Sequence, residues 1–234
     1  MRSSTSPSHE SLVVPPRSSS PLRNEAHLIV AGRGVRRLTR AELPVGTAKL
    51  ARYLIGKILV RDDPRGRTSG RIVETEAYVP GDAAGHAYIG RTPRNRSLFL
   101  ERGHAYVYFI YGCWFALNVS GEAHGVGGGA LLRALVPIEG IDLMRKRRGA
   151  ERLVDLARGP GRLATAMAID RSLDGVDLTA HSLLWLADDG GRVPRIGVTT
   201  RIGLSREAHR PLRFYSRSPR DLPYVSGPRR VLGP

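Results

Sequence analysis

The stretch RIVETEAYVP, Arg71 to Pro80, has the alternation of a β-strand, yet it places Glu74, Glu76 and Tyr78 at every second position. With a side-chain period of two, these three project from one face while Val73, Thr75, Ala77 and Val79 fill the other. A face made of two carboxylates and a phenol is either a solvated sheet face carrying surface ion pairs or an acid/base or metal site. The neighbouring segments have to discriminate between these.

Upstream, TAKLARYLIG puts Leu50, Leu54 and Ile55 on one side of a helix that Gly56 ends, and KILVR begins a strand. RGRTSG is a basic turn leading into the strand at Arg71. Downstream, PGDAAGHAYIGRTPRNRSLF is a long loop rich in Gly, Arg and polar residues, and long loops inside compact domains are usually functional. HAYVYFIYGCWFALNVSG is split by Gly112 into two aromatic-rich β-prone runs, which predicts a hairpin with its tip near Tyr111 to Trp114. GALLRALVPI is an apolar strand interrupted by Arg133. IEGIDLMRKRRG and the GPG-started RLATAMAID read as helices, the first with a basic last turn that suits the helix dipole. After Ser172, SLLWLA, RIGVTTRIGL and RPLRFYS are short strand candidates separated by turns. Without a regular βαβ rhythm, the expected fold is α+β with a largely antiparallel sheet. Residues 1–40, rich in Ser, Pro and Arg and lacking periodicity, are predicted to be a disordered arm, leaving 41–234 as a single domain.

The chain has 234 residues, 41% of them hydrophobic, enough for one sizeable core. Its single cysteine, Cys113, excludes an internal disulfide framework and a multi-cysteine zinc site and points to a reducing cytosol. No apolar run approaches the roughly 18 to 20 residues of a membrane span, and no secretory signal is legible. A formal charge of +16 and a pI near 11.1 call for an anionic partner. Seven arginines against two glutamates in residues 1–40 leave the remainder basic in its own right. Lys49, Lys57 and Lys146 are the only lysines, so the charge is carried by planar guanidinium forks suited to phosphate.

Two residues apart on a strand, Glu74 and Glu76 lie roughly 7 Å from each other. No sequence-local His or Asp completes a metal set with them, and no metal or cofactor is expected. One carboxylate beside Tyr78 could act as a general base on water, its charge also favouring a cationic sugar transition state. The strand pattern does not distinguish which. Tyr106, Tyr108, Tyr111 and Trp114 concentrate flat rings near these carboxylates and near the arginines of RTPRNR, although aromatics account for only 6% of the chain. Rings on a basic surface suit nucleobase stacking, worth about 1–3 kcal/mol per base. A ring at a hairpin tip can wedge into a duplex while others form a slot for an extruded base. Neither GxxxxGK[ST] nor GxSxG occurs, against NTPase and α/β-hydrolase chemistry.

Taken together, ARYLIGKILV, GRIVETEAY, the segment from His86 to Asn95, YVYFIYGCWFALNVS, LLRALVPIEGIDLMR, GPGRLATAMAI and RPLRFY closely resemble the alkyladenine (3-methyladenine) DNA glycosylases of the mammalian-type fold. They occur in family order over about residues 41–215. The resemblance implies a monofunctional base-excision enzyme with no cofactor, a protruding intercalating hairpin and a curved sheet surrounded by helices. It implies a monomer that engages double-stranded DNA in the minor groove, flips an alkylated or deaminated purine and hydrolyses its N-glycosidic bond. Glu76 takes the place of the water-activating glutamate, and Tyr78, His86 and Tyr108 those of the walls around the base. Tyr111 matches the intercalating tyrosine and Asn118 the asparagine that discriminates against guanine. Arg91, Thr92, Arg133 and Arg162 match positions that hold the DNA backbone or the hairpin. The expected setting is the nucleoid of a bacterial-type cytoplasm. Gly129 stands where the family usually has a larger apolar residue, which questions the stiffness of that strand, and Val136 where an acidic one is common. The rivals are a catalytically silent duplex-binding protein, which has no need of Glu76, and a nuclease, which would require a metal-ligand set.

Overall fold

The computed structural model describes residues 33–227, the strand at 28–30 and Met1. Among the described residues are ten strands: β1 (Leu28–Val30), β2 (Arg33–Arg37), β3 (Ile58–Asp63), β4 (Gly66–Tyr78), β5 (Ala105–Ile110), β6 (Trp114–Ser120), β7 (Gly129–Glu139), β8 (Leu184–Asp188), β9 (Ile196–Thr199) and β10 (Arg213–Ser216). Four α-helices accompany them: α1 (Thr47–Leu54), α2 (Ile141–Arg148), α3 (Leu153–Leu156) and α4 (Pro160–Ala166). The main sheet runs β1-β2-β8-β3-β4-β7-β6-β5, and β10 pairs with β4 and β9. Every one of these pairings is antiparallel, as the α+β reading expects.

The strand that opened the sequence reading is the organising element. β4 is thirteen residues long, pairs with β3 through its first half and with β7 along most of its length, and receives β10 beside Glu74 to Glu76. The larger core lies on the helical side, where Leu50, Ala51 and Leu54 of α1 pack with Ile72, Ala77, Leu132 and Leu135. Thr75 points the same way and donates its hydroxyl to the Ala51 carbonyl at 2.8 Å. A smaller cluster of Val35, Ile58, Val60, Trp185 and Ala187 forms around β2, β3 and β8.

Three boundaries differ from the sequence reading. RGRTSG is not a turn: β4 begins at Gly66, and the pairing of Asp63 with Gly66 leaves only Pro64 and Arg65 to reverse the chain. The arm assigned to residues 1–40 enters the fold before its end. β2 pairs with β8, and Leu38 is fully buried in the main core. Arginines on both sides of Val35 hid that strand, because the charges of Arg33, Arg36 and Arg37 mask a short apolar alternation. Residues 2–27, the bulk of the arm, lie outside the described residues. Finally, α3 is a single turn that no periodicity could announce.

None of the described helices is long and apolar enough to cross a membrane. The β5–β6 hairpin turns through Tyr111, Gly112 and Cys113, as the Gly112 break predicts. Tyr111 itself has φ +51°, an uncommon backbone state for a tyrosine, and its side chain is 88% exposed. Gly129 receives its explanation here: a Cβ at that position would lie 2.6 Å from Leu98 Cδ2 and 3.3 Å from Asn118 Cβ. The strand is small at Gly129 because a neighbouring side chain occupies the space, and it runs unbroken to Glu139.

Candidate active site

Glu74 and Glu76 are both fully buried, so the strand face is not a solvated one. Ionised carboxylates survive burial only with close donors, and the chain supplies them from four segments. The β4–β7 register shifts between Ile72 and Glu74 and again between Glu74 and Thr75, so Arg133 falls at an irregularity of the ladder. Such irregularities re-aim side chains. The arginine that interrupts an otherwise apolar strand bridges the two carboxylates, with Nε 3.3 Å from Glu74 Oε1 and Nη1 3.1 Å from Glu76 Oε2. Glu74 also accepts from Arg213 Nη1 at 2.8 Å and from the Ser226 amide and hydroxyl, both at 2.6 Å. Glu76 accepts from the Ile202 amide at 2.8 Å and from the Tyr78 hydroxyl at 3.0 Å.

Burial raises both partners of the Tyr78–Glu76 hydrogen bond. Burial raises the Glu76 carboxyl above its ordinary 4.5, opposed by Arg133, the Ile202 amide and the Tyr78 hydroxyl in that order. Burial raises the Tyr78 phenol too, with the Glu76 charge adding to it, so Tyr78 stays protonated and is the donor of the pair.

Above the carboxylates is a cavity of about 340 Å³ whose lining includes Tyr78, His86, Tyr108, Asn118 and Arg133. Glu76 is not on its surface; it sits directly behind Tyr78, Arg133 and Ile202, which are. The His86 ring lies 4.5 Å from that of Tyr108 in an edge arrangement, and Tyr106 stacks on Tyr108 at 5.0 Å. His86 Nδ1 and the Tyr106 hydroxyl are hydrogen-bonded at 2.9 Å. Burial, helped by the Arg94 charge, lowers the His86 pKa, so its imidazole is neutral at pH 7. Burial pushes the Tyr106 phenol up to about 12 and also raises Tyr108, whose hydroxyl is hydrogen-bonded to the side chain of Asn118. The four residues matched to the base pocket thus converge on one slot.

Of the residues matched to the DNA backbone and hairpin, Arg91 is exposed. Thr92 is engaged locally, its amide donating to Asn95 Oδ1 at 2.7 Å and its hydroxyl accepting from the Asn95 amide at 3.3 Å. Arg162 is half-exposed on α4, where Gly161 packs against Trp114 next to the hairpin turn. Arg133 differs: it is turned inward to the carboxylates, for the register reason given above, and has little surface to offer a phosphate.

Sequence reasoning missed the roles of the Arg201–Asp82 pair and of Asn95 in supporting this site, while Tyr106 was among the rings it singled out. Arg201 is fully buried, forms a two-pronged ion pair with fully buried Asp82 and donates to the Ala77 carbonyl at 3.0 Å. Its guanidinium carbon lies 4.7 Å from the centre of the Tyr78 ring, and Arg201 does not line the cavity. Its neighbour Ile202 holds Glu76, so one short segment fixes both the wall and the carboxylate. Asn95, buried, donates to the carbonyls of His86 at 2.8 Å and Gly90 at 2.9 Å and sets the loop that carries His86. Tyr106 backs His86 and Tyr108. The signals were slight: one Asp in a loop, one Asn in TPRN and one Arg in a weak strand, each distant from its partners in sequence.

The profile of the family described as methylpurine-DNA glycosylase (MPG) matches residues 42–220. A protein of Mesorhizobium japonicum named "putative 3-methyladenine DNA glycosylase" is 61% identical over 204 residues, covering 87% of this chain and 97% of its own. Proteins of the same name from Paraburkholderia phytofirmans and Rubrobacter xylanophilus are 54% and 52% identical, covering 83% and 69% of this chain and 90% and 84% of their own. A match that spans every segment of the slot, together with relatives this similar over nearly their whole length, shows that the chain belongs to the methylpurine-DNA glycosylase family, DNA-repair hydrolases of N-glycosyl bonds.

Proposed function

We propose that this protein excises alkylated or deaminated purines, such as 3-methyladenine, 7-methylguanine, hypoxanthine or ethenoadenine, from duplex DNA after flipping them into the slot between Tyr78, His86 and Tyr108. The observation that carries the reading is a buried carboxylate, Glu76, directly behind an aromatic slot that can take a flat base. Glu76 accepts a proton from water as the water oxygen bonds to C1′ of the sugar, and the C1′–N9 bond breaks with its electron pair leaving on the purine. Its negative charge also stabilises the cationic sugar that develops. A cationic base departs neutral. A neutral lesion takes up a proton as it leaves, from solvent, because Glu76 is occupied with the proton of the attacking water. No lysine stands at the slot to form a Schiff base, in keeping with monofunctional hydrolysis.

The rings favour a cationic base by about 0.5–2 kcal/mol per contact. Extrusion costs a few kcal/mol, least at damaged or mispaired sites. Tyr111, at the hairpin tip beside the slot, would fill the gap from the minor groove, and the exposed arginines of the 91–96 loop would meet phosphates. The protein would act as a monomer on the chromosome of a bacterial-type cell. The test is base release, without added metal, from duplexes carrying each lesion, with abasic sites revealed by alkali. Glu76→Gln should lose nearly all activity while binding the same duplexes; an equally active variant would remove Glu76 from the mechanism, and a wild type that binds these duplexes without releasing any base would leave the silent-binder reading.

A further inference from the structure

Ten large apolar or aromatic side chains are exposed among the described residues, and four of them, Tyr88, Ile89, Phe109 and Tyr111, occupy two short segments that frame one cavity. Phe109 and Tyr111 belong to the hairpin. Tyr88 and Ile89 belong to the opposite rim: the adjoining His86 and Ala87 line the cavity. Resting on the functional reading above, we propose that the Ala87–Gly90 turn is a second DNA-probing element. It would set Ile89, with Tyr88 beside it, into the minor groove on the side of the lesion opposite Tyr111.

Three observations support this. First, the turn is built stiff. The Gly90 amide donates to the Ala87 carbonyl at 3.0 Å, the Tyr88 amide to Gly85 at 3.1 Å, and Gly90 takes φ +82°. Buried Asn95 clamps both ends through His86 O and Gly90 O. Holding an exposed apolar pair in one conformation is an arrangement suited to a docking surface, and a floppy loop would lose entropy on contact. Second, the described residues leave the pair largely open: Tyr88 is 54% and Ile89 77% exposed. Third, its surroundings suit a polyanion. Arg91, Arg94 and Arg96 are all exposed, and none of their guanidinium groups has a hydrogen bond or ion pair among the described residues. The only carboxylate between Val79 and Leu100 is Asp82, which is buried on Arg201. An apolar tip ringed by guanidiniums matches a minor groove, where apolar side chains wedge between base steps and guanidiniums meet the flanking phosphates. A protein partner would more often bring charges of both signs.

The test uses the full chain with Ile89→Ser, Tyr88→Ser and the double variant, all surface changes that should leave the melting temperature in place. Binding to a hypoxanthine duplex and to the same lesion strand unpaired would be measured by fluorescence anisotropy at one salt concentration, with single-turnover excision from the duplex alongside. Ile89→Ser should weaken duplex binding about tenfold, from the loss of one buried aliphatic side chain, and leave single-strand binding within twofold; Ile89→Met should restore it. Unchanged duplex binding in the double variant overturns the inference, and so does an equal loss on single strands, which would mark an undirected contact. If the wild type binds but does not excise, the functional reading fails while the binding comparison still decides this one.

Discussion

Replacing Tyr78 by Phe keeps the stacking ring and removes one donor from Glu76, which isolates the hydroxyl's electrostatic role. The Tyr78 hydroxyl lies 3.0 Å from Glu76 Oε2 and stabilises only the ionised form. A hydrogen bond to a charged group is worth about 1.5–3 kcal/mol, and one pKa unit corresponds to about 1.4 kcal/mol. Because Arg133 and the Ile202 amide remain and can tighten, the lower end applies, and the Glu76 pKa should rise by about one unit. Burial already holds this carboxyl above 4.5, so the variant moves further in the same direction. The general base must be ionised, so the acid limb of the excision rate should shift upward in pH by that unit. In single-turnover release of hypoxanthine across pH, the two proteins should agree within about twofold on the plateau and differ about tenfold well below both midpoints. A limb that stays put or moves down would refute the donor role of Tyr78. Stability gives an independent check. With its folded pKa above 4.5, Glu76 binds more protons in the folded than in the unfolded state between 4.5 and the raised value. Its contribution is therefore complete below 4.5 and lost as pH rises through the raised pKa, and Tyr78→Phe should extend that loss to higher pH.

Two further outcomes follow from packing and charge. Gly129→Val should cost about 1–3 kcal/mol in denaturant melts, because its Cβ would meet Leu98 Cδ2 at 2.6 Å on a crowded strand; wild-type stability would show that Leu98 can move aside freely. Asp82→Ala leaves the Arg201 guanidinium buried without its counter-charge and should cost about 3–5 kcal/mol, whereas Asp82→Leu with Arg201→Met should recover much of it. If the double replacement is no more stable than the single one, the pair is not the source of the loss.

The sheet and the slot were legible because each leaves a local signature. Period two placed Glu74, Glu76 and Tyr78 together, and Gly112 marked the hairpin turn. What escaped depends on contacts between distant segments. The strand at Arg33–Arg37 was lost in the arm because its arginines look like those of a disordered tail, and only its pairing with Asp188 and Ala187 reveals it. Arg133 read as a phosphate contact because nothing in GALLRALVPI encodes the irregular register that turns it inward. Arg201 and Asp82 are 119 residues apart and are uninformative until the chain folds.

The same long-range contacts favour one answer to the question that strand alternation left open, which of the two glutamates works. A carboxylate offers about four lone-pair sites. Glu74 has four donors: Arg133 Nε and Arg213 Nη1 on Oε1, and the Ser226 amide and hydroxyl on Oε2. Every site is taken, so Glu74 can neither order a water nor receive a proton without breaking a bond. Among the described residues Glu76 has three donors, Arg133 Nη1 and the Tyr78 hydroxyl on Oε2 and the Ile202 amide on Oε1, which leaves one site on Oε1. That is the position at which an attacking water could be held and deprotonated. Arg133 serves both roles at once, completing the saturation of Glu74 and opposing the burial that raises the Glu76 carboxyl. Two neighbouring carboxylates that share one guanidinium are thereby made unequal, one a fixed joint between β4, β10 and the Ser226 segment, the other open to serve as the proposed base.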